Sequence, residues 1–177
     1  APSNSFVGMY GFFNGPEVNR ILFSYHQLNN LLGYVMSESE INNIAKNILS
    51  ISDSDKSIIK EIVPKEYLAI SIGGEWKYKI YEKWGDLIEK IIKNNEKINI
   101  VLIGSKNAQN QSQELINRFN NYQFINLVSK LTFNQTAEVI KHSKVLICCD
   151  GGLMHDENAM NANIIALIAR LRPEMLF

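Results

Sequence analysis

The sequence has 177 residues, 46% of them hydrophobic, which is enough to bury one sizeable core with a short appendage. Its 18 Lys and Arg residues balance its 18 Asp and Glu residues, so we expect no nucleic acid partner. No apolar run reaches the roughly 20 residues that span a bilayer, and no basic signal-peptide flank opens the chain. We therefore expect a soluble cytoplasmic domain without a transmembrane segment, and a first residue other than Met suggests a fragment.

Two amphipathic helices are predicted near the start of the chain. Apolar residues recur at helical spacing from Glu17 onward, and Gly33 can end this first helix. Ser37 and Glu40 have the spacing of a capping box, which predicts the start of a second helix.

The polar stretch that follows resembles a linker. Asp53-Ser54-Asp55 imitates the Asp-x-Asp metal motif of some sugar-nucleotide enzymes, but N-capping of the apolar run Ile58–Val63 explains it better. We expect residues 1–62 to be a helical lead-in that does not fold alone, because its apolar stripes have no sheet to cover.

After Pro64 the pattern alternates between strands and helices, which is typical of a parallel sheet covered on both faces. Five strands are predicted, at Tyr67–Ile72, Ile98–Ile103, Phe124–Leu127, Lys144–Cys149 and Asn163–Ala169. Residues 63–177 are therefore predicted to form a doubly wound, Rossmann-like α/β domain of about five parallel strands.

The fourth predicted strand runs into a candidate ligand site. Its apolar run ends at Asp150, and Gly151 and Gly152 then allow a sharp turn or the close approach of a ligand. The next residues, up to His155, can open a helix whose N-terminus attracts a phosphate group. A plain strand-to-helix turn capped by Asp150 explains the local pattern equally well. The adjacent Cys148 and Cys149 are expected to point to opposite faces as reduced thiols.

Two common nucleotide-binding motifs are missing from the sequence. No Gly-x-Gly-x-x-Gly follows any predicted strand, which argues against a nicotinamide-binding domain. Gly104-Ser105-Lys106 does not have the spacing of a phosphate loop.

Several segments, in the right order, resemble the donor-binding half of the bacterial heptosyltransferases of glycosyltransferase family nine. Lys79-Ile80-Tyr81 with Trp84 and Leu87 resembles the family's Lys-Arg-Trp-Pro stretch. Asn126-Leu127, Thr132 and Glu138 resemble its "NL…S/T…E" passage, and Asp150–His155 is similar to its Asp-Ser/Thr-Gly-Pro-Met-His motif. The resemblance covers roughly residues 67–169.

The resemblance implies one half of a GT-B fold, and transfer of heptose from a nucleoside-diphosphate sugar, ADP-linked by preference, to lipopolysaccharide core. It also implies that neither a metal nor another cofactor is needed. The donor-binding residues that it implies are Lys79, Asp150, Gly151, Gly152 and His155, with Lys77 as the rival of Lys79. The catalytic base and the acceptor site would lie in an N-terminal domain outside this chain, which alone would be inactive. The full-length protein could act at the inner face of the inner membrane.

Three departures from the family pattern favour an alternative, a non-catalytic or degenerate nucleotide-sugar-binding module of the same fold. Gly151 replaces a hydroxyl residue, and Asp156 and Glu157 would compete with a diphosphate for the helix dipole. Gly104–Asn107 lacks the acidic residue that commonly contacts the ribose, and Glu114 comes late. A response-regulator-like domain is a third reading, but only one acid, Glu75, follows the first strand.

Overall fold

The computed structural model describes residues 20–44, 49–74, 80–95, 97–149, 151 and 162–168. The chain divides into two compact units. One unit consists of Ala1–Lys46 with Arg170–Phe177, and the other of Asn47–Ala169.

The first unit contains helices α1, Arg20–Leu32, and α2, Glu38–Ile44. Gly33 ends α1 with a φ of 72°, and the Tyr34 N–H donates to the Asn29 carbonyl at 2.9 Å, as in a Schellman cap. The predicted capping box of α2 is confirmed, because the Ser37 N–H donates to Glu40 Oε2 at 2.8 Å and the Glu40 N–H to Ser37 Oγ at 3.3 Å. The Ser37 N–H, and the Ser37 hydroxyl, which donates to the same oxygen at 2.7 Å, lower the pKa of Glu40 because they bond to its charged form.

The second unit begins with helix α3, Asp53–Ile62. Ser52 is the N-cap residue, and its hydroxyl accepts the Asp55 N–H at 3.1 Å, while Asp53 pairs with Lys56 at 2.7 Å. The Asp-Ser-Asp segment is thus the first turn of a capped helix, as predicted. Because α3 packs on the helix that precedes the fourth strand, it lies in the unit that contains the sheet. Whether residues 1–62 fold alone stays a prediction.

The predicted sheet of five parallel strands is confirmed. The strands are β1 Leu68–Ser71, β2 Ile100–Ile103, β3 Ile125–Asn126, β4 Val145–Cys149 and β5 Ile164–Leu167. Their order across the sheet is β3-β2-β1-β4-β5, and every neighbouring pair is parallel. Within the described residues, three α-helices lie between the strands, α4 Trp84–Asn94, α5 Gln109–Arg118 and α6 Phe133–His142.

Side-chain alternation along the strands assigns these helices to the two faces of the sheet. Ile70 and Ile147 are opposite each other in the register, and both pack in one buried cluster with Trp84 and Ile88 of α4. On the other face, the Tyr67 hydroxyl donates to the Val139 carbonyl of α6 at 2.7 Å. The sheet is therefore covered on both faces, as the strand-helix alternation predicts.

The two cysteines follow the same alternation. Cys148 is 1% exposed, whereas Cys149, its neighbour in β4, packs against the cluster that contains α4. Among the helices that the structure describes, none has both the length and the apolar character needed to cross a membrane.

Tyr67 is expected to make stability depend on pH in the alkaline range. Burial, with a smaller effect from Glu138, raises the pKa of its phenol. The folded state therefore holds this proton more tightly than the unfolded chain, in which a tyrosine pKa is about 10. The stabilisation is complete below that pH and is lost as the pH rises above it.

Urea unfolding of the wild type and of Tyr67→Phe between neutral and alkaline pH measures this effect. The variant should lose about 1 kcal/mol at neutral pH with the bond to Val139. It should also show a shallower decline of unfolding free energy at alkaline pH. Equal alkaline slopes in the two proteins would contradict the prediction.

Candidate functional site

The carboxyl ends of β1 and β4 lie side by side in the sheet. The two strands pair with Leu68 opposite Val145 and Ile70 opposite Ile147. From β1 the chain moves outward through β2 to β3, whereas from β4 it moves in the opposite direction to β5. The strand order thus reverses between β1 and β4, and open α/β sheets bind ligands in the crevice at such a switch point.

The segments with the predicted donor-binding residues follow these two strands. Gly151 is described by the structure and is half-buried just after β4. The other predicted residues lie outside the described residues, namely Lys77, Lys79, Asp150, Gly152 and His155, as do Asp156 and Glu157. Their roles stay predictions.

Gly151 has room for a side chain. A Cβ added there would have the Cys149 carbonyl oxygen as its nearest neighbour among the described residues, at an ordinary contact distance of 3.8 Å. Packing in the described part of the site therefore does not require a glycine at this position.

Gly73, just beyond β1, has no room for a side chain. Its φ is 85°, and an added Cβ would lie 2.7 Å from Cβ of Ala108. Ala108 is fully buried and ends a short 3₁₀ helix, Lys106–Ala108, which begins shortly after β2. The turn after β2 therefore packs directly against the end of β1.

Two hydrogen bonds close the turn after β2 internally. Ser105 Oγ donates to Asn107 Oδ1 at 2.8 Å, and the Ala108 N–H donates to the Ser105 carbonyl at 3.0 Å. That Gly104-Ser105-Lys106 is not a phosphate loop stays a prediction. Glu114 lies farther along α5 and is exposed.

Gln111 of α5 bridges the two ends of the loop between β1 and α4. Its Oε1 accepts the Gly73 N–H at 2.9 Å, and its Nε2 donates to the Tyr81 carbonyl at 3.2 Å. The loop between these two anchors carries Lys77 and Lys79. Sequence reasoning missed Gln111, because nothing in the local pattern of α5 distinguishes it from the neighbouring amides.

The model for "Glycosyltransferase family 9 (heptosyltransferase)" matches residues 16–176, which is nearly the whole chain. The chain belongs to glycosyltransferase family 9. No curated protein sequence matches it.

Solved structures agree with the fold. A family 9 glycosyl transferase from Veillonella parvula DSM 2008 superposes with a TM-score of 0.71 at 16% identity, covering 90% of this chain and 46% of that one. ADP-heptose lps heptosyltransferase II of E. coli superposes with a TM-score of 0.55 at 21% identity, covering 72% of this chain and 41% of that one. E. coli heptosyltransferase WaaC with ADP-2-deoxy-2-fluoro heptose superposes with a TM-score of 0.56 at 18% identity, covering 86% of this chain and 45% of that one. This chain thus spans less than half the length of each of these proteins.

Three of the residues that resemble the family's "NL…S/T…E" passage lie in β3, at the start of α6 and within α6. Asn126 Oδ1 accepts the Val128 N–H at 3.1 Å, which fixes the turn after β3. Thr132 caps α6 through a capping box with Gln135, as predicted. Glu138 is buried in α6. In the described structure Asn126 and Thr132 therefore stabilise the turn after β3 and the start of α6.

Replacing Gln111 by Ala is expected to loosen the loop that carries the two lysines. The variant loses two partly buried hydrogen bonds, each worth about 1 kcal/mol. Hydrogen exchange should therefore become faster at the Gly73 amide. Gln113→Ala is the matched control, because Gln113 lies two residues farther along α5, is exposed, and donates from its side chain to Asn117 Oδ1 at 3.0 Å. Unchanged exchange at Gly73 in Gln111→Ala would contradict the anchoring role.

Proposed function

We propose that this chain is the donor-binding half of a GT-B glycosyltransferase that transfers heptose or a related sugar to lipopolysaccharide core. The donor would be a nucleoside-diphosphate sugar, ADP-linked by preference. The observation that carries the proposal is the parallel pairing of β1 with β4. This pairing supports a shared site for the lysine loop and the Asp150–His155 turn at the switch point. The names of the similar E. coli proteins, which include ADP-heptose and bound ADP, support the ADP-linked donor.

Breaking a glycosyl–phosphate bond leaves negative charge on the departing diphosphate. Donors that are already in place to meet this charge lower the barrier. In the proposal, the glycine N–H groups after β4, His155 and a lysine of the loop after β1 supply them without a metal. Asp150 would accept hydrogen bonds from sugar hydroxyls. The base that deprotonates the acceptor hydroxyl would come from the N-terminal half of the full-length enzyme, so this chain alone would bind donor without transferring sugar.

Calorimetric titration of the chain with ADP and UDP tests the proposal. Wild type should bind weakly, with ADP preferred. His155→Ala and one of Lys79→Ala and Lys77→Ala should each weaken binding about tenfold or more, because a charge-assisted hydrogen bond contributes roughly 1.5–3 kcal/mol. Asp156→Ala should strengthen binding by removing a competing charge. Lys90→Ala, on the exposed surface of α4, is the matched charge control at equal salt.

The outcomes separate the proposal from its alternative. Equal affinity in wild type and His155→Ala would remove that residue from the site. No detectable binding of either nucleotide at millimolar concentration would favour the degenerate module. Gly151, Asp156 and Glu157, which depart from the family pattern, are the residues that suggest this alternative. Sugar transfer by the full-length protein, measured with an ADP-linked heptose, would then decide between enzyme and module.

A further inference from the structure

A cavity of about 460 Å³ lies between α3 and α6 at the amino-terminal edge of the sheet. Its lining includes residues from both helices and Tyr67, which directly precedes β1. The candidate donor site lies at the other ends of β1 and β4. A ligand in this cavity would therefore occupy a separate place in the fold. A volume of this size is in the range of small-molecule sites, roughly 300–1,000 Å³.

Glu138 gives the cavity a buried carboxylate with an unmet hydrogen-bonding requirement. Its side chain is 4% exposed, and Oε1 lies 2.8 Å from Nε2 of His142. The other oxygen, Oε2, is buried and has no hydrogen-bond partner among the residues that the structure describes. Tyr67 cannot supply one, since its hydroxyl donates to the Val139 carbonyl. Buried charges in proteins are normally paired, so this oxygen favours a ligand with a charged donor.

The rest of the lining favours an anionic group on the same ligand. Three lysines line the cavity, and only Lys56 has an ion-pair partner within the described ranges, Asp53 at 2.7 Å. Lys60 and Lys65 are exposed and have no such partner there. With Glu138 included, the lining carries a net positive charge, and lysine ammonium groups bind phosphate well. The cavity thus offers one buried anion and two available cations.

We propose that this cavity is a second ligand site, for a small zwitterion whose ammonium group pairs with Glu138 and whose phosphate group pairs with Lys60 and Lys65. The proposal goes beyond donor binding, because none of its residues belongs to the donor site. The same chemistry occurs in a free amino-alcohol phosphate and in the headgroup of an aminophospholipid.

Amide NMR titration of the complete chain with O-phosphoethanolamine tests the site. Methyl phosphate, which has the anion without the ammonium group, is the comparison ligand. We expect shifts at the amides of Lys60, Lys65 and His142. The double variant Lys60→Ala/Lys65→Ala should weaken binding of both ligands about tenfold or more. Lys90→Ala should leave both affinities unchanged.

Glu138→Gln gives the decisive comparison, because it removes the charge and keeps the side-chain shape. It should weaken phosphoethanolamine binding about tenfold and strengthen methyl phosphate binding. Changes in the same direction for both ligands would overturn the role of Glu138. If this variant fails to fold, the lysine double variant, which alters only exposed side chains, still tests the site.

The location and the source of the ligand are tested separately. Shifts confined to Gly104 and Gly151 at the carboxyl edge, or no shifts at millimolar ligand, would overturn the proposal. Co-sedimentation with phosphatidylethanolamine vesicles that is lost in Lys60→Ala/Lys65→Ala would assign the headgroup as the source. Binding of soluble phosphoethanolamine without co-sedimentation would assign a free metabolite.

Discussion

Replacing Gly73 by Ala is expected to destabilise the unit that contains the sheet by about 2–5 kcal/mol. A left-handed backbone costs a residue with a Cβ about 1–2 kcal/mol, and Gly73 has a φ of 85°. The added Cβ would also lie 2.7 Å from Cβ and 3.1 Å from Cα of Ala108, and overpacking of this kind costs about 1–3 kcal/mol. Because Ala108 is part of a buried turn, it cannot rotate away as a long side chain would.

Urea unfolding followed by circular dichroism measures the loss, with Gly151→Ala as the matched control. Gly151 lies at the same edge of the sheet, but its added Cβ would meet only an ordinary contact among the described residues. The control should change the free energy of unfolding by at most about 0.5 kcal/mol. Similar unfolding free energies for Gly73→Ala and Gly151→Ala would show that the turn after β2 does not hold the end of β1.

The sequence predicted the sheet well because each strand is a short apolar run with a clear end. Gly73 and Gly104 close β1 and β2, and Thr132 marks the start of the helix before β4. These are local signals, so they can be recognised without knowledge of the fold. Strand β3 was predicted as Phe124–Leu127 and found as Ile125–Asn126, which is half the predicted length, since an edge strand pairs on one side only.

What the sequence did not predict depends on contacts between distant segments. Gln111 joins α5 to both ends of the loop after β1, and its partners lie 38 and 30 residues away. The cavity between α3 and α6 arises because α3 packs on the sheet unit, where Gln135 donates to Asp55 at 3.0 Å across 80 residues. Periodicity within a helix indicates which face is apolar, but it does not say which other helix covers that face.

The two segments of the candidate donor site lie far apart in the sequence, so local pattern alone could not bring them together. That two glycine-containing segments follow buried strands can be read from the sequence. The sequence does not show that β1 and β4 are neighbours, because several strand orders are compatible with the same alternation of strands and helices. The observed order makes the switch point fall between the two segments that resemble family motifs. The local pattern and the topology thus support the same site independently.

Gly151→Ser is expected to strengthen ADP binding by about tenfold, if the proposed donor site is correct. The family motif has a hydroxyl residue where this chain has Gly151, and a hydroxyl bonded to a charged phosphate contributes roughly 1.5–3 kcal/mol. Among the described residues, the nearest neighbour of the added Cβ is the Cys149 carbonyl oxygen at 3.8 Å, which is an ordinary contact. Calorimetry with ADP, at the salt used for wild type, measures the gain.

Gly151→Ala separates the hydroxyl from the added Cβ. Alanine restricts the backbone as serine does but offers no donor, so its affinity for ADP should stay within about twofold of wild type. A gain shared by both variants would mean that backbone restriction, and not a hydrogen bond to phosphate, strengthens binding. No gain in Gly151→Ser would show that the position after Asp150 does not contact the diphosphate. The turn after β4 would then be a plain connection into the next segment, and the degenerate-module reading would be favoured.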